Sequence, residues 1–540
     1  MEIFTTHAMK KQIWFFLLSI PTGFVLHAQA PEIQWQHRMG GSGFESADNF
    51  DIATDGYILG SSSDSNISAD KTEDSRGGID YWIVKTDETG TRQWDKTIGG
   101  ASPEFEEDFL TDIKVTFDGG FILCGTSNSP LSGEKMEAPI NGSYDYWIVK
   151  TDSNGVIQWQ NVIGGDGTDV PTDMDVTSDG GYIIGGRSES TISADKTEDT
   201  RGAGDYWIVK LDAAGNVQWD KTLGGSEYDY LTSINQTVDG GYLVAGYSLS
   251  GISGDKTEGL NGGFDLWIIK LDATGAIVWQ NTIGGSGDET MVDVVATTDG
   301  GYLLPATSIS PVSGDKTEPN RGVIDLWMVK ISESGAVQWD KTLGGSEDDS
   351  ATTALESSDG NFVVVGYTMS PVSGDKTVPL YGEVDSWVLK INSMGSILWQ
   401  KEIGGSGEEA LFKISETSDG GYFLSGGTTS EISNDIVDAP LGGYDLWTLK
   451  LAPDDLKLSE SPLTEVKAYP NPALESVNIH FKEQQQEVRF SLVNVLAQVV
   501  SVHDFTNIGE ATIPLSGASG IYFLTIEGTT GRQTLKISKQ

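Results

Sequence analysis

The sequence predicts an all-β protein: a seven-bladed β-propeller of four-stranded blades, its ring closed by an N-terminal strand, followed by a small β-sandwich. Three observations carry this. A unit of about 60 residues recurs seven times. Each copy reads as four short strands separated by turns, with no helical periodicity. The array opens with a strand that its last copy lacks.

Two tryptophan ladders define the unit. Trp35, Trp94, Trp159, Trp219, Trp279, Trp339 and Trp399 each stand five residues before a Gly-Gly pair, as in Trp219-Asp-Lys-Thr-Leu-Gly224-Gly225. Trp82, Trp147, Trp207, Trp267, Trp327, Trp387 and Trp447 each follow an aspartate by two residues. In the third copy, Asp173–Thr177 is a partly alternating strand, and Asp179-Gly-Gly181 is a turn where glycine supplies positive φ. Tyr182–Gly185, Tyr206–Leu211 and Val217–Leu223 supply the other strands, the last two joined by a turn at Ala214-Gly215. A flat aromatic ring at one strand position in every copy is what packing between blades requires. The Asp-x-Trp aspartates are expected to accept backbone hydrogen bonds where the long loop enters its strand. The Gly-Gly pairs are expected to turn the chain sharply from an outer strand to the next inner one.

The ends of the array select the architecture. The last copy stops at Trp447-Thr-Leu-Lys-Leu without a fourth strand, and an orphan fourth strand, Ile33-Gln-Trp35, precedes the first copy. One end supplies what the other lacks, so the ring closes and no raw sheet edge remains.

Composition narrows the function. With 79 Asp and Glu against 34 Lys and Arg the net charge is −45, which repels phosphate backbones and argues against nucleic-acid partners. The single cysteine, Cys124, leaves no material for a disulfide framework or a cysteine zinc site. Residues 1–28 read as a secretory signal peptide: Lys10 and Lys11, an apolar run from Ile13 to Val25, then Ala28 and Ala30, with cleavage after 28 or 30. The expected divisions are a propeller over 29–452, a linker over 453–462 and a separate tail over 463–540. The tail carries 6 basic and 7 acidic residues, so the negative charge belongs to the propeller and linker.

The run Gly-Gly-Ser-Gly…Asp-Gly-Gly-Tyr…Ser between Gly284 and Ser308 resembles the bacterial seven-bladed β-propeller repeat family, a likeness that speaks to architecture and not to activity. The tail is similar to another family. Tyr469-Pro470-Asn471-Pro472, Val477-Asn-Ile479, Val488–Val495, Ile513-Pro-Leu-Ser516, Gly520–Ile526 and the terminal strand at Lys536 follow the order of the C-terminal sorting domain of type IX secretion cargo. Leu496-Ala497 stands where that family often has a glycine. The resemblance implies handling by the type IX machinery, passage through the outer membrane of a Gram-negative bacterium, and release or attachment at its surface. About 78 residues of short alternating strands suit a small β-sandwich.

Blade topology places every long connection on one face. The loop typified by Ser250-Gly-Ile-Ser-Gly-Asp-Lys-Thr-Glu258 lies there, as does the acidic stretch after each Gly-Gly pair. The stretches contribute Glu104, Glu106, Asp108, Glu227, Asp229, Asp288, Glu289, Glu347, Asp348, Asp349, Glu408 and Glu409, read as a candidate acidic crown at the channel mouth. Calcium is the metal such residue types would suit, although no EF-hand spacing occurs and Lys256 competes beside Asp255 and Glu258. No cofactor is otherwise expected. Of five histidines only His37 falls on the propeller, so nucleophilic triads have almost no material. The expected function is non-catalytic: a monomeric exported propeller, without a membrane-spanning segment, binding a glycan, protein or cation on its long-loop face. The alternative is a hydrolase of glycans working with two carboxylates at the channel mouth.

Overall fold

Each repeat folds into one antiparallel sheet whose strands run outward from a central axis. The computed structural model describes residues 29–46, 49–101, 107–454, 466–494, 499–528 and 531–540. Residues 1–28, expected to be a signal peptide, and most of the expected linker lie outside these residues. Blade 1 comprises Asn49–Ala53, Gly56–Ser63, Asp80–Thr86 and Arg92–Ile98. Blades 2, 3 and 4 start at Asp108, Asp169 and Asp229, and blades 5, 6 and 7 at Glu289, Asp349 and Glu409. The inner strands begin four residues earlier than alternation suggests, because Asp169 and its equivalents are buried strand residues. In blade 5 the inner strand breaks between Glu289–Met291 and Val295–Ala296. Val292 N–H bonds the Pro305 carbonyl, so Pro305 turns its bonding edge toward this strand but has no N–H to offer it.

Closure follows the expected pattern. Ile33–Met39 pairs antiparallel with Asp445–Leu451, placing Arg38 opposite Trp447 and Trp35 opposite Lys450, and it completes blade 7. The apolar core is divided into layers between neighbouring blades; one layer joins Tyr206 and Ile208 of blade 3 to Leu231, Ile234, Val244 and Trp267 of blade 4. The third-strand tryptophans are fully buried. Most fourth-strand ones are half-buried, with Trp399 buried. Tyr81, Tyr146 and Tyr206 each reach across to donate to the carbonyl of the next blade's tryptophan, at 3.1–3.2 Å.

A buried cation accompanies the tryptophan in most blades. Lys196 lies 5.3 Å from the centre of the Trp207 ring and donates to Thr222, and Lys256 and Thr282 repeat this around Trp267. The indole N–H in turn donates to the residue after the outer tryptophan, as from Trp207 to Asp220 at 3.0 Å. In blade 7 the lysine is replaced by Ile436, and the position facing Trp447, threonine in blade 3, is Arg38. The cation has moved from the loop to the closing strand. Arg38 donates to Thr428 at 3.1 Å and to the Ser430 carbonyl at 2.6 Å, and its Nε lies 3.6 Å from Asp445.

The tail forms a five-stranded network in which Ser476–Asn494 pairs with Val466–Tyr469, Val499–Pro514 and Gly520–Gly528, and Gly531–Lys539 flanks the last of these. One apolar cluster, including Val477, Phe490, Ile513, Leu524 and Ile537, forms its core. Asn471 of the Tyr-Pro-Asn-Pro run donates to the Lys536 carbonyl at 2.7 Å and accepts from Ser538 N–H at 2.9 Å, tying the motif to the terminal strand.

Replacing Arg38 by methionine leaves Asp445 buried without its cation, and we expect a loss of about 3–5 kcal/mol in urea unfolding. The double replacement Arg38→Thr with Ile436→Lys rebuilds the arrangement of blade 3 and is expected to recover most of that loss.

Candidate functional site

The long loops lie on the Gly-Gly crossings. Ser226 N–H donates to Ser253 Oγ at 2.9 Å, Glu227 N–H to Ser250 Oγ at 3.0 Å, and Asp255 N–H to the Gly224 carbonyl at 2.8 Å. Both acidic stretch and long loop therefore share one face, as topology requires. The opposite face carries the short turns, where Asp118, Asp179, Asp239, Asp299 and Asp419 each pair with a third-strand lysine at 2.9–3.0 Å.

The acidic crown separates into two sets. Asp108, Asp229, Glu289, Asp349 and Glu409 are fully buried, which removes them from any ligand-facing surface. Each accepts from the second glycine of the preceding Gly-Gly pair, at 2.5–2.8 Å, and so holds the crossing between blades. Asp169 and Glu45 do the same, at 2.7 and 2.9 Å; Glu45 escaped the sequence reading because the first copy lacks neighbouring acids. Glu227, Asp288, Glu347 and Glu408 are exposed and Asp348 is half-buried on the loop face. Glu104 and Glu106 lie outside the described residues.

The expectation for the Gly-Gly pairs needs correction. Neither Gly224 nor Gly225 has a positive φ. Glycine is required by crowding: a Cβ on Gly224 would stand 2.1 Å from Asp205 Oδ1, and one on Gly225 2.4 Å from Ser250 Cβ. The Asp-x-Trp aspartates behave as expected, accepting loop N–H groups such as Arg76 to Asp80 at 2.6 Å and Asn261 to Asp265 at 2.5 Å. Burial beside the next blade's inner acid pushes several of them up: Asp80, Asp205, Asp265 and Asp325 to about 6 and Asp145 to about 7.

Around the axis the inner strands enclose a cavity of about 150 Å³, its lining including Asp173, Asp293, Lys413, Thr172, Thr352 and Phe412. Burial pushes Asp173 up to about 7 against the pull of Lys114, yet both its oxygens already accept backbone N–H groups, from Met174 at 2.9 Å and Ile234 at 2.8 Å. Lys114 pairs with Asp112 at 2.9 Å. Among the described residues no group of three or more His, Cys, Asp or Glu is arranged to hold a metal ion. No helix among them is long and apolar enough to cross a membrane. His37 Nε2 lies 3.0 Å from the Thr89 carbonyl, to which it donates, and Cys124 is buried.

The loop face departs from repetition at the edge shared by blades 3 and 4. Tyr247, Tyr230 and Tyr228 form a stack, with centroids 5.1 and 5.7 Å apart, and Phe264 meets Tyr230 and Tyr247 edge-on. The Arg187 guanidinium lies 5.2 Å from the Tyr230 ring and 5.8 Å from Tyr228, and pairs with Glu189 at 2.7 Å. No other copy has aromatic residues at all four positions. The run Glu227-Tyr-Asp-Tyr230 is the sequence signal for it, interleaved with acids that recur in the other copies.

Residues 467–540 match the family described as the secretion system C-terminal sorting domain, so the tail is such a domain and marks the chain for export. "Regulatory protein FlaEY" of Caulobacter vibrioides is 24% identical over 284 residues, which cover 49% of this chain and 29% of that protein. The chain thus spans under a third of the curated relative's length. Among solved structures, a fungal alcohol oxidase of the AA5 family in complex with copper is similar at a TM-score of 0.40 and 12% identity, over 94% of this chain and all of that one. The Pan2 WD40 domain of Neurospora crassa is similar at 0.40 and 11%, over 75% and 89%. Likenesses this distant carry nothing about activity.

The protonation pattern predicts a stability maximum in mild acid. The raised Asp-x-Trp carboxyls contribute stability below about pH 4 that is lost as pH rises through 6 to 7. The turn aspartates, held down to about 2 by their hydroxyl, amide and lysine partners, contribute stability above about pH 4 that is lost toward pH 2. Melting followed by circular dichroism should therefore give a higher midpoint at pH 5 than at pH 7.5 or pH 3. A midpoint rising steadily from 5 to 7.5 would show that the buried carboxyl pairs are fully ionised.

Proposed function

We propose that the chain is an exported, non-catalytic binding protein that takes its ligand on the long-loop face of the propeller and is released or retained at the cell surface. The observation that carries this reading is the tyrosine stack with Arg187: an exposed Tyr228 ring and half-buried Tyr230, Tyr247 and Arg187 grouped on that face, over a frame that is otherwise repeated. Exposed tyrosine and arginine are the residue types that recognition surfaces favour. The repeated acids mostly serve the frame, and the net charge of −45 repels polyanions while tolerating neutral or cationic ligands. At each loop tip an aliphatic side chain also stays exposed, from Val312 at 55% to Ile252 at 72%.

The alternative, a carboxylate hydrolase in the channel, draws support from Asp173 beside the cavity. Against it stands the engagement of both Asp173 oxygens by backbone donors, which suits a structural role.

The full chain, offered neutral polysaccharides, basic proteins and Ca²⁺ while reducing-end release is followed, is expected to show saturable binding without turnover. Turnover that disappears in Asp173→Asn would replace the binding reading with the hydrolase.

A further inference from the structure

One blade places a carboxylic acid where the buried loop lysine meets the outer strand. The residue opposite the third-strand tryptophan is threonine in blades 1, 3, 4 and 5, Val162 in blade 2 and Arg38 in blade 7. In blade 6 it is Glu402, opposite Trp387. In the five preceding blades the loop lysine lies 5.3–5.8 Å from the centre of its tryptophan ring. Lys376 of blade 6 instead donates to the Val378 carbonyl at 2.8 Å, and its Nζ stands 3.1 Å from Glu402 Oε2. Both side chains are at most 1% exposed, and neither Glu402 oxygen accepts a well-directed hydrogen bond. Every other lysine–carboxylate pair among the described residues keeps one partner at least 19% exposed. Burial pushes Glu402 up to about 9, against the pull of Lys376 and with the help of the nearby Asp385.

We propose that Lys376 and Glu402 condense after folding into an intramolecular amide, a covalent staple between the long loop and the outer strand of blade 6. In an enclosure without water, one proton passing from ammonium to carboxylate turns the ion pair into a free amine and a carboxylic acid. The Lys376 nitrogen then adds to Cδ of Glu402. The Nζ–Cδ bond forms, the bond from Cδ to the hydroxyl oxygen breaks, and that oxygen leaves as water, keeping its own proton and taking one from the nitrogen. Asp385 Oδ1 has no hydrogen-bond partner and its carboxylate acts on Glu402, so it is the group to carry that proton. No oxidant or cofactor enters the balance. Groups held about 3–3.5 Å apart react at effective concentrations that free solutes never reach, and the enclosure keeps out the water that would reverse the step. The threonines of the other blades have no carbonyl carbon to attack, which confines the reaction to blade 6. The amide closes a loop as disulfides do in exported proteins, a service that a single cysteine cannot supply.

The test is intact-mass measurement and tryptic mapping of the purified full chain after denaturation. The mass is expected to fall short of that calculated for its residues by one water. The map is expected to contain a branched peptide joining Lys376 to Glu402, with no cleavage after Lys376. Glu402→Thr, which copies the arrangement of blade 3, should fold and show the full mass. Asp385→Asn keeps an oxygen for the Tyr381 N–H and should be largely uncondensed when freshly purified. A natural chain at full mass, cleaved after Lys376, overturns the proposal and leaves an ordinary buried ion pair. A water lost anywhere else, as a succinimide at an Asp-Gly turn would lose it, overturns it equally. Complete condensation in Asp385→Asn overturns the role given to Asp385.

Discussion

The propeller depends on one recurring contact: a buried carboxylate gripping the backbone where the chain crosses from one blade to the next. Asp229 receives the Gly225 N–H while Asp205, from the blade before, packs against Gly224 so closely that no side chain fits. Seven such crossings set the angular spacing of the blades. They also explain why acids, glycines and serines recur together: the serine accepts an N–H from the crossing and donates to the acid, as Ser250 does with Glu227 and Asp229. Much of the charge that a reader of the sequence would assign to a surface is thus internal, and its cost is met by short backbone hydrogen bonds and by a lysine over each of several tryptophans.

The architecture was legible because repetition amplifies weak signals. Four short strands in one copy would be ambiguous, but ladders of tryptophan at fixed offsets, and an orphan strand at Trp35 matching a gap after Trp447, leave little freedom. The turns were legible for the same reason: Gly180 and Gly215 do take positive φ, at 83° and 84°. What could not be read was which of two adjacent acids points inward. Asp288 and Glu289 look alike in sequence, yet one is exposed and the other fully buried, because strand alternation sends neighbours to opposite sides and the strand starts earlier than its apolar pattern.

The site was less legible for a related reason. Repeats draw attention to what is shared, whereas a ligand reads what is not. Tyr228, Tyr230, Tyr247 and Phe264 are spread along the chain, and their grouping stands out only against the other copies, none of which has aromatic residues at all four positions. Arg38 shows the same logic applied to stability. It is unremarkable in the opening strand until Ile436 is recognised as a vacancy in the cation series, whereupon both departures become one relocation across 398 positions of chain.

The strand that seals the circle carries a kinetic consequence. Its partner is synthesised last among the propeller strands, so ribosomal emergence cannot finish the domain stepwise; the two extremities must find each other across a span in which Trp447 and Gln36 are separated by 411 positions. Relative to a single-module span, such a tether adds only about 2 kcal/mol of chain entropy. The obstacle is one of order rather than energy: until both extremities are present, blade 7 holds three strands and an unpaired rim at Asp445–Leu451, a row of bare N–H and C=O groups that only the opening strand of the chain covers.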